Sequence, residues 1–193
     1  LALWLTAVSA RLLGNADAAG YAVCHRIDLR SFHLGERQLP LCARCSGIYL
    51  GAVLGLIFQA ALYPRYGSFP KPKVLAFLVL FGLAFAVDGL NSYLELFPAA
   101  PGLYEPNNIF RLLTGTGLGI SMAAVLAPAF NQTVWKNWQP KAAFGDLRAF
   151  LVLLLLGLGL DGLVLLENPL LLYPLALVSA GGVLVILTMV YGM

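Results

Sequence analysis

The residues best suited to chemistry in this sequence are its three cysteines, which all lie between positions 24 and 45. Cys42 and Cys45 form a C-x-x-C pair, whose two sulfurs can reach one ion or each other. The interval from Cys24 to Cys42 is in the usual range for the two halves of a structural zinc site. The spacing therefore predicts a metal site, with zinc as the ion.

The fourth ligand and the chemistry of the pair stay open at this level. His25 and His33 are the histidines of the chain, and geometry favours His33, because neighbours such as Cys24 and His25 rarely bind one ion without strain. Thiol–disulfide exchange is the rival interpretation. A helix N-terminus lowers the pKa of a thiol, so Cys42 and Cys45 would react, with Cys24 as resolving thiol and a quinone as acceptor. A third alternative treats the cysteines as small buried apolar residues.

A second group of polar residues lies in or beside apolar segments. Asp88 and Asp161 fall deep within such segments, where a carboxylate is costly unless it is paired or protonated. Asp88 can pair with Arg111, as a helix lock or as part of a site, whereas Asp161 is expected to be a packing carboxylate. The candidate functional residues outside the metal site are Asp88, Arg111, Arg44, Asn108 and Glu105.

The composition sets the elements that must position these residues. Of 193 residues, 60% are apolar and 11% are charged, and the mean hydropathy is +0.84. Soluble domains carry roughly 25% charged residues, so a soluble enzyme, a disordered chain and a secreted disulfide scaffold are excluded. The net charge of +3 is too small and scattered for a nucleic-acid surface. We expect one all-α integral membrane domain over residues 1–193.

About six membrane spans are predicted from apolar stretches of sufficient length. The first is the least distinct, because Arg11 interrupts it. A Cys/His-bearing loop, residues 15–45, would join spans one and two. The predicted spans are Leu1 to about Leu13, Ser46–Leu62, Val74–Leu94, Ile109–Phe130, Phe150–Leu166 and Leu170–Met193.

Alternating crossings place the connecting loops on two faces. Face one holds the 15–45 loop, the acidic 95–105 loop and the turn at Glu167; face two holds the 65–73 and 135–148 loops. The basic residues of the short face-two loops favour a cytoplasmic position for that face, which places the cysteine loop outside the cytoplasm of the cell membrane. The expected partners are the lipid bilayer and other membrane subunits, without nucleic acid.

Two patterns concern the spans themselves. The segment from Ala76 to Leu80 together with Asp88 and Gly89 recurs from Ala149 to Leu153 with Asp161 and Gly162, which suggests a parallel repeat of the helix pairs 74–130 and 149–193. Glycines at every fourth position let helices approach closely and predict packing of spans two and four. These glycines are Gly47, Gly51, Gly55, Gly115 and Gly119.

The cysteine segment resembles the hallmark of a family of bacterial and archaeal multi-pass membrane proteins, the domain of unknown function 2085. The matching residues are Cys24, His25, Arg30, Ser31, Phe32, Gly35, Gln38, Pro40, Cys42, Ala43, Arg44, Cys45, Gly47, Tyr49 and Gly51. A second, less specific block is similar at Asp88, Gly89, Glu105, Asn108, Arg111, Thr114 and Gly115, with Asn91 or Ser92 where a Gln is usual. The resemblance implies a membrane location and a shared polar site, brings no known reaction, and favours His25 over His33.

Together these patterns predict a membrane protein with a zinc site formed by Cys24, His25, Cys42 and Cys45, next to a polar pocket. Two roles follow. In a metal-dependent enzyme, an open metal position would polarise a substrate, with Asp88 as base. In an accessory or scaffold subunit, the ion would fix the long loop. The alternative is a membrane thiol–disulfide oxidoreductase that uses the C-x-x-C pair.

Overall fold

The computed structural model describes residues 2–94 and 102–193, with side chains from residue 11 onward. Leu1 lies outside the described residues, and so do residues 95–101. The latter belong to the predicted acidic loop of face one. Six α-helices account for most of the described chain. They are α1 (Ala2–Val23), α2 (Ala43–Leu62), α3 (Pro72–Leu94), α4 (Asn108–Val134), α5 (Leu147–Leu165) and α6 (Leu172–Tyr191).

The helices α2 to α6 are the membrane-spanning elements. Each is long and apolar enough to cross a bilayer, and they number 5 among the described helices. Their bounds agree with the predicted spans to within a few residues, and polar side chains cap the starts of α4 and α5. At the start of α4, for example, the side chain of Asn107 accepts a hydrogen bond from the N–H of Phe110 at 2.9 Å. The predicted all-α membrane bundle is confirmed.

The first helix differs from its prediction. Instead of ending near Leu13, α1 continues to Val23, so residues 15–23 of the predicted loop are helical. This part of α1 is rich in alanine, which has the highest helix propensity, but it also carries Asp17 and is too polar to register as a span. Among the described helices, α1 is not one of those that hydropathy and length identify as spanning.

Short strands organise the loops, and hydropathy does not predict them because they are two to four residues long. Strands β1 (His33–Leu34) and β2 (Arg37–Gln38) form an antiparallel hairpin, with Gly35 in the left-handed region at φ 68°. Strands β3 (Tyr66–Ser68) and β4 (Gln139–Ala142) pair in parallel. The second pair joins the two loops predicted to share face two.

The face-one loops also meet one another. The side chain of Asn108, at the start of α4, donates hydrogen bonds to the carbonyls of Leu29 and Ser31 at 3.3 and 3.4 Å. Gly35 lies against Pro169 of the turn between α5 and α6, where an added Cβ would be 3.3 Å from the proline Cγ. The loop between α1 and α2 is therefore held against the ends of the spans, over a core that includes buried Phe32, Leu34 and Leu39.

The closest helix pair is α2 with α4. A Cβ added at Gly51 would lie 2.6 Å from the carbonyl oxygen of Thr116, and one added at Gly47, Gly115 or Gly119 would meet backbone even more closely. The two backbones touch because neither presents a side chain along this stripe. The predicted packing of spans two and four is confirmed.

Candidate metal centre and polar pocket

The three cysteines converge where α1 ends and α2 begins. Cys24 follows the last residue of α1, Cys42 is the N-cap of α2, and Cys45 lies in its first turn. Residues three apart on a helix share a face, so Cys42 and Cys45 present their sulfurs together. The three Sγ atoms all lie within 4.8 Å of one another. Three thiol ligands at this separation suit a soft divalent ion such as zinc.

A tight contact between the helix end and the loop brings Cys24 to this position. An added Cβ at Gly20, in the last turn of α1, would fall far inside van der Waals contact with the carbonyl of Pro40. Only glycine permits this approach, and Pro40 is two residues before Cys42. Leu41 is fully buried beneath the cysteines, against Val183 of α6. Packing therefore fixes the positions of Cys42 and Cys45 relative to Cys24.

The sulfur of Cys24 is the acceptor at the centre of the group. It accepts hydrogen bonds from the backbone N–H of Cys42 at 3.3 Å and of Arg26 at 3.4 Å. Hydrogen bonds from the Cys42 and Cys45 thiols, followed by these backbone groups, lower the pKa of Cys24 well below its ordinary value. The pKa of Cys42 is raised, because its thiol donates to Cys24. The two backbone N–H groups would stabilise a thiolate at Cys24, and N–H bonds to sulfur of this kind typically orient metal ligands.

Neither histidine belongs to the group of three sulfurs in the described part of the chain. His25 is exposed and lines the cavity beside the cysteines. His33 lies on β1, where its Nε2 atom is 2.9 Å from a carboxylate oxygen of Asp28. Of the two candidates for a fourth ligand, His25 is therefore the one that faces the cysteine site.

A polar cluster lies next to the cysteines and centres on Asp88, which is only 1% exposed. One carboxylate oxygen pairs with the guanidinium of Arg44, one residue before Cys45. The other accepts a hydrogen bond from the hydroxyl of Tyr104 at 2.6 Å. Burial, followed by this hydrogen bond to Asp88, raises the pKa of Tyr104 to about 12, so it remains a donor at neutral pH. Asp88 thus connects α3 to the first turn of α2.

Asp88 and Arg111, which the sequence suggests as a pair, each contact a further polar residue. Asp88 forms an ion pair with Arg44, while the Nη1 atom of Arg111 donates to Asn108 at 3.0 Å. Arg111 is 6% exposed and faces the same cavity as the cysteines. The structure therefore brings Arg44, Asn108 and Arg111 to one region, with Asp88 behind it.

Two further predicted residues are absent from the described lining of this cavity. Glu105 is exposed on the loop before α4. Asp161 of α5 is buried and accepts a hydrogen bond from the hydroxyl of Thr116 at 2.6 Å, between α4 and α5. Its role as a contact between helices agrees with the expected packing carboxylate.

Several residues of the region carried no strong signal in the sequence. Tyr104 and Ser92 are ordinary loop and helix residues until the fold brings them to Asp88 and Arg44. Arg26 pairs with Asp17 of α1 at 3.0 Å, and the predicted loop over residues 15–45 does not anticipate this contact. The available signal at that end of the site is the helical spacing of Leu13, Ala16 and Gly20, which are buried.

A cavity of about 210 Å³ connects these groups. The cysteines form one part of its wall and arginines from the loop, α2 and α4 form another. The lining residues are Val23, Cys24, His25, Arg26, Ile27, Arg30, Cys42, Arg44, Cys45 and Arg111. The predicted metal ligands and two of the predicted pocket residues therefore share one cavity.

Comparison with known proteins places the site within a family. The model of the family DUF2085, described as predicted membrane proteins, matches residues 24–125, more than half of the chain. An uncharacterised protein of Methanocaldococcus jannaschii is 29% identical over 120 residues, which cover 61% of this chain and 69% of the relative. An uncharacterised protein of Methanothermobacter thermautotrophicus is 33% identical over 103 residues, or 53% of this chain and 83% of the relative. No solved structure matches. With its cysteines, Arg44, Asp88 and Arg111 all inside the matched range, the chain belongs to the DUF2085 family of predicted membrane proteins.

Proposed function

We propose that this protein binds one zinc ion through Cys24, Cys42 and Cys45 at the end of its helix bundle, beside the arginine-lined cavity. The observation that carries the proposal is the grouping of three sulfurs within 4.8 Å. Thiolates are the ligands that zinc prefers, and the N–H bonds to Cys24 would stabilise the charge that a thiolate carries.

The grouping favours a metal over thiol–disulfide exchange. A disulfide joins only two sulfurs, whereas here three free sulfurs lie within 4.8 Å of one another. A tetrahedral ion satisfies all three at once. His25, exposed at the cavity, is the proposed fourth protein ligand, held more loosely than the cysteines.

Because the ion would lie in the wall of a cavity, the arrangement favours a metal site that contacts a bound ligand. In that role zinc would polarise a bound group, and the protein would be a metal-dependent membrane enzyme. Asp88 is not the base in this proposal, since both its oxygens are engaged and it is absent from the described cavity lining. It positions Arg44 instead. A structural role, as an accessory subunit, is the second candidate, because the ion would join the end of α1 to the start of α2.

Metal analysis of the purified protein in detergent tests the proposal. We expect one equivalent of zinc, with the thiols unreactive until a chelator removes it. Cys24→Ser, Cys42→Ser and Cys45→Ser should each lose the ion, because each removes a thiolate ligand. His25→Ala should hold zinc more weakly in competition with a chelator.

His33→Ala is the matched control, because His33 contacts Asp28 rather than the cavity, and it should retain zinc at the parent affinity. A metal-free protein with a reducible Cys42–Cys45 disulfide would overturn the proposal in favour of the oxidoreductase. Retention of zinc in all three serine variants would overturn it as well.

A further inference from the structure

A groove opens on the bundle at the end opposite the cysteines. It lies between the last turns of α2, α4 and α6 and has a volume of about 450 Å³. Most of its wall is apolar and includes Ile57 of α2, Phe130 of α4 and Met189 of α6. Ile57 and Val185, which both line it, are 62% and 46% exposed, so the groove is open at the side of the bundle. In a membrane, that side faces lipid.

Gln59, Asn131 and Arg65 are the hydrophilic side chains of the described lining. The amide of Gln59 donates to one carbonyl of α2 and one of α4, at 3.2 and 2.8 Å, and so joins the two helices. Asn131 donates to the carbonyl of Tyr66 at 2.9 Å. Two of the three side chains are therefore used within the fold, and Arg65 brings the charge of the groove.

Arg65 is exposed, and its side chain lies against an aromatic ring. The guanidinium carbon is 4.8 Å from the centre of the Trp135 ring, and no carboxylate of the described residues forms an ion pair with it. A guanidinium over an aromatic face keeps the N–H donors in its plane available to an anion. Arg65 thus differs from the arginines of the cysteine loop that pair with Asp17.

The loop after α2 fixes the position of Arg65. Its backbone lies in the left-handed region at φ 61°, which non-glycine residues adopt where the surrounding structure imposes it. The carbonyl of Arg65 accepts a hydrogen bond from the N–H of Gln139 at 2.8 Å, next to the pairing of β3 with β4. Two residues later, a Cβ added at Gly67 would lie 2.5 Å from the ring of Trp138. These contacts hold the strained backbone of Arg65 at the edge of the groove.

Aromatic residues around the groove indicate its depth in the membrane. Trp135 and Trp138 are 41% and 37% exposed, and the ring centres of Tyr63 and Tyr66 are 5.5 Å apart. Such residues are enriched where a bilayer meets water. From Trp135 the lining extends back along α4 for about 12 Å, at 1.5 Å per residue, towards the middle of the span. A ligand of this groove would have a polar end beside Arg65 and an apolar part within the bilayer.

The loops on this face are basic. Residues 63–73 and 135–148 contain a single acidic residue, Asp146, and six basic ones. A second copy of this chain that docked through the same groove would bring these like charges together. Anionic headgroups complement them, and basic pockets between membrane spans are typical sites for such lipids. The basic residues are Arg65, Lys71, Lys73, Lys136, Lys141 and Arg148.

We propose that this groove binds an anionic phospholipid, with its phosphate at the guanidinium of Arg65 and one acyl chain along α4. Arg65 donates hydrogen bonds to the phosphate oxygens while Trp135 supports its guanidinium. Ile57, Phe130 and Met189 contact the acyl chain. The groove and the cysteine cavity share no described lining residue, so this site does not depend on bound zinc.

Native mass spectrometry of the full chain in detergent tests the inference, because it separates bound lipids and copies of the protein by mass. Dioleoyl phosphatidylglycerol and dioleoyl phosphatidylcholine, which carry the same acyl chains, are titrated in parallel. We expect the parent to bind phosphatidylglycerol about tenfold more tightly. Arg65→Gln should lose this preference and bind phosphatidylcholine like the parent, because it removes the charge and leaves the apolar wall intact.

Arg148→Gln is the matched control for charge. Arg148 is an exposed arginine of the same face but is absent from the described lining of the groove, so this variant should keep the preference. Equal binding of the two lipids by the parent, or an unchanged preference in Arg65→Gln, would overturn the inference.

Ala60→Phe tests the apolar part of the groove. Ala60 is an exposed lining residue, so a phenylalanine there should fill part of the groove and weaken the binding of both lipids. Val152→Phe, at an exposed position of α5 outside the described lining, should bind both like the parent. A lipid-free dimer of the parent that Ala60→Phe separates would assign the groove to a second copy and overturn the inference.

Discussion

At the scale of residues, the contact that connects the membrane interior to the cysteines is the pair of Arg44 with Asp88. Arg44 stands between the two cysteines of the C-x-x-C pair, in the first turn of α2. Asp88 holds it through the ion pair, and Ser92 accepts a further hydrogen bond from it at 3.0 Å. The buried carboxylate therefore ties the first turn of α2 to α3.

Asp88→Asn should lower the free energy of unfolding by about 3 kcal/mol, because it leaves the Arg44 guanidinium without its countercharge. Arg44→Gln should cost a similar amount, and the double variant should resemble either single one, which corresponds to a coupling energy of about 3 kcal/mol. Denaturant titration in detergent measures all three.

Asp28→Asn serves as the control for this cycle. Asp28 pairs with His33, but its side chain is 75% exposed, so its loss should cost less than about 1 kcal/mol. Losses at Arg44 and Asp88 that add up fully in the double variant would show that the two residues act separately.

The sequence identified much of the site, whereas the contacts within it depended on the fold. The cysteines stood out by their spacing, Asp88 and Arg111 because charges are costly within a span, and Arg44 and Asn108 through the family resemblance. The sequence does not identify the partner of Asp88, because Arg111 is nearer in the sequence than Arg44 and both can reach the same end of the bundle. The contact with Arg44 follows from the close packing of α2 on α4, which turns Arg44 towards α3.

At the scale of elements, the contact between α2 and α4 positions the site. Both helices start beside the cavity, α2 with Cys42 and α4 with Asn108 and Arg111. Their glycine stripe lets the backbones touch, and so the arginines from the two helices face one cavity. The glycines at every fourth position were enough to predict this contact, because such a pattern within a span is typical of closely packed helices.

Gly119→Ala should lower the free energy of unfolding by about 1–3 kcal/mol, since its Cβ would collide with the backbone of α2 near Ile48. Gly159→Ala is the matched control, because nothing lies within 4 Å of a Cβ at that exposed position of α5. This second change should be neutral or slightly stabilising. Equal effects of the two substitutions would contradict the close packing of α2 on α4.

The end of α1 shows where prediction from elements fails. Hydropathy detects segments that enter lipid, but the second half of α1 is helical because of its alanines and its packing against Pro40. This half of α1 positions Cys24 and Asp17, and it lacks the run of apolar residues by which hydropathy identifies a membrane span. The short strands escape prediction for a similar reason, since a few backbone hydrogen bonds between loops leave no pattern of apolar residues.

At the scale of the whole molecule, the loops segregate onto two faces. The cysteine loop meets the start of α4 and the turn at Pro169, whereas the loops that carry β3 and β4 meet on the opposite face. The arginines of the cysteine loop are held by the site, as with Arg26 and Arg37 on Asp17. We propose that the cysteine face lies outside the cytoplasm, since the basic residues of face two belong to short loops.

Labelling of intact cells with a membrane-impermeant maleimide tests this orientation. Leu29→Cys, on the exposed cysteine loop, should be labelled from outside, whereas Lys136→Cys, on face two, should react only after permeabilisation. The parent chain is the control, because its own cysteines are expected to be held by the metal. The reverse pattern of labelling would place the cysteine site in the cytoplasm.

The parallel repeat of helix pairs stays a prediction at this scale. Asp88 and Asp161 both contact α4, through Thr114 at 3.5 Å and Thr116 at 2.6 Å. Of these two aspartates, only Asp88 also contacts α2, through its ion pair with Arg44. The second pair of helices therefore supports the bundle, while the first pair and α2 carry the site.

X-ray absorption at the zinc edge of the purified protein tests the central claim most directly, because it counts the atoms bound to the ion. Our account predicts a shell of three sulfurs at about 2.3 Å and one nitrogen or oxygen at about 2.0 Å. Cys24→Ser should remove the sulfur shell together with the bound zinc. A shell made of oxygen and nitrogen alone would show that the cysteines of this protein do not hold its metal.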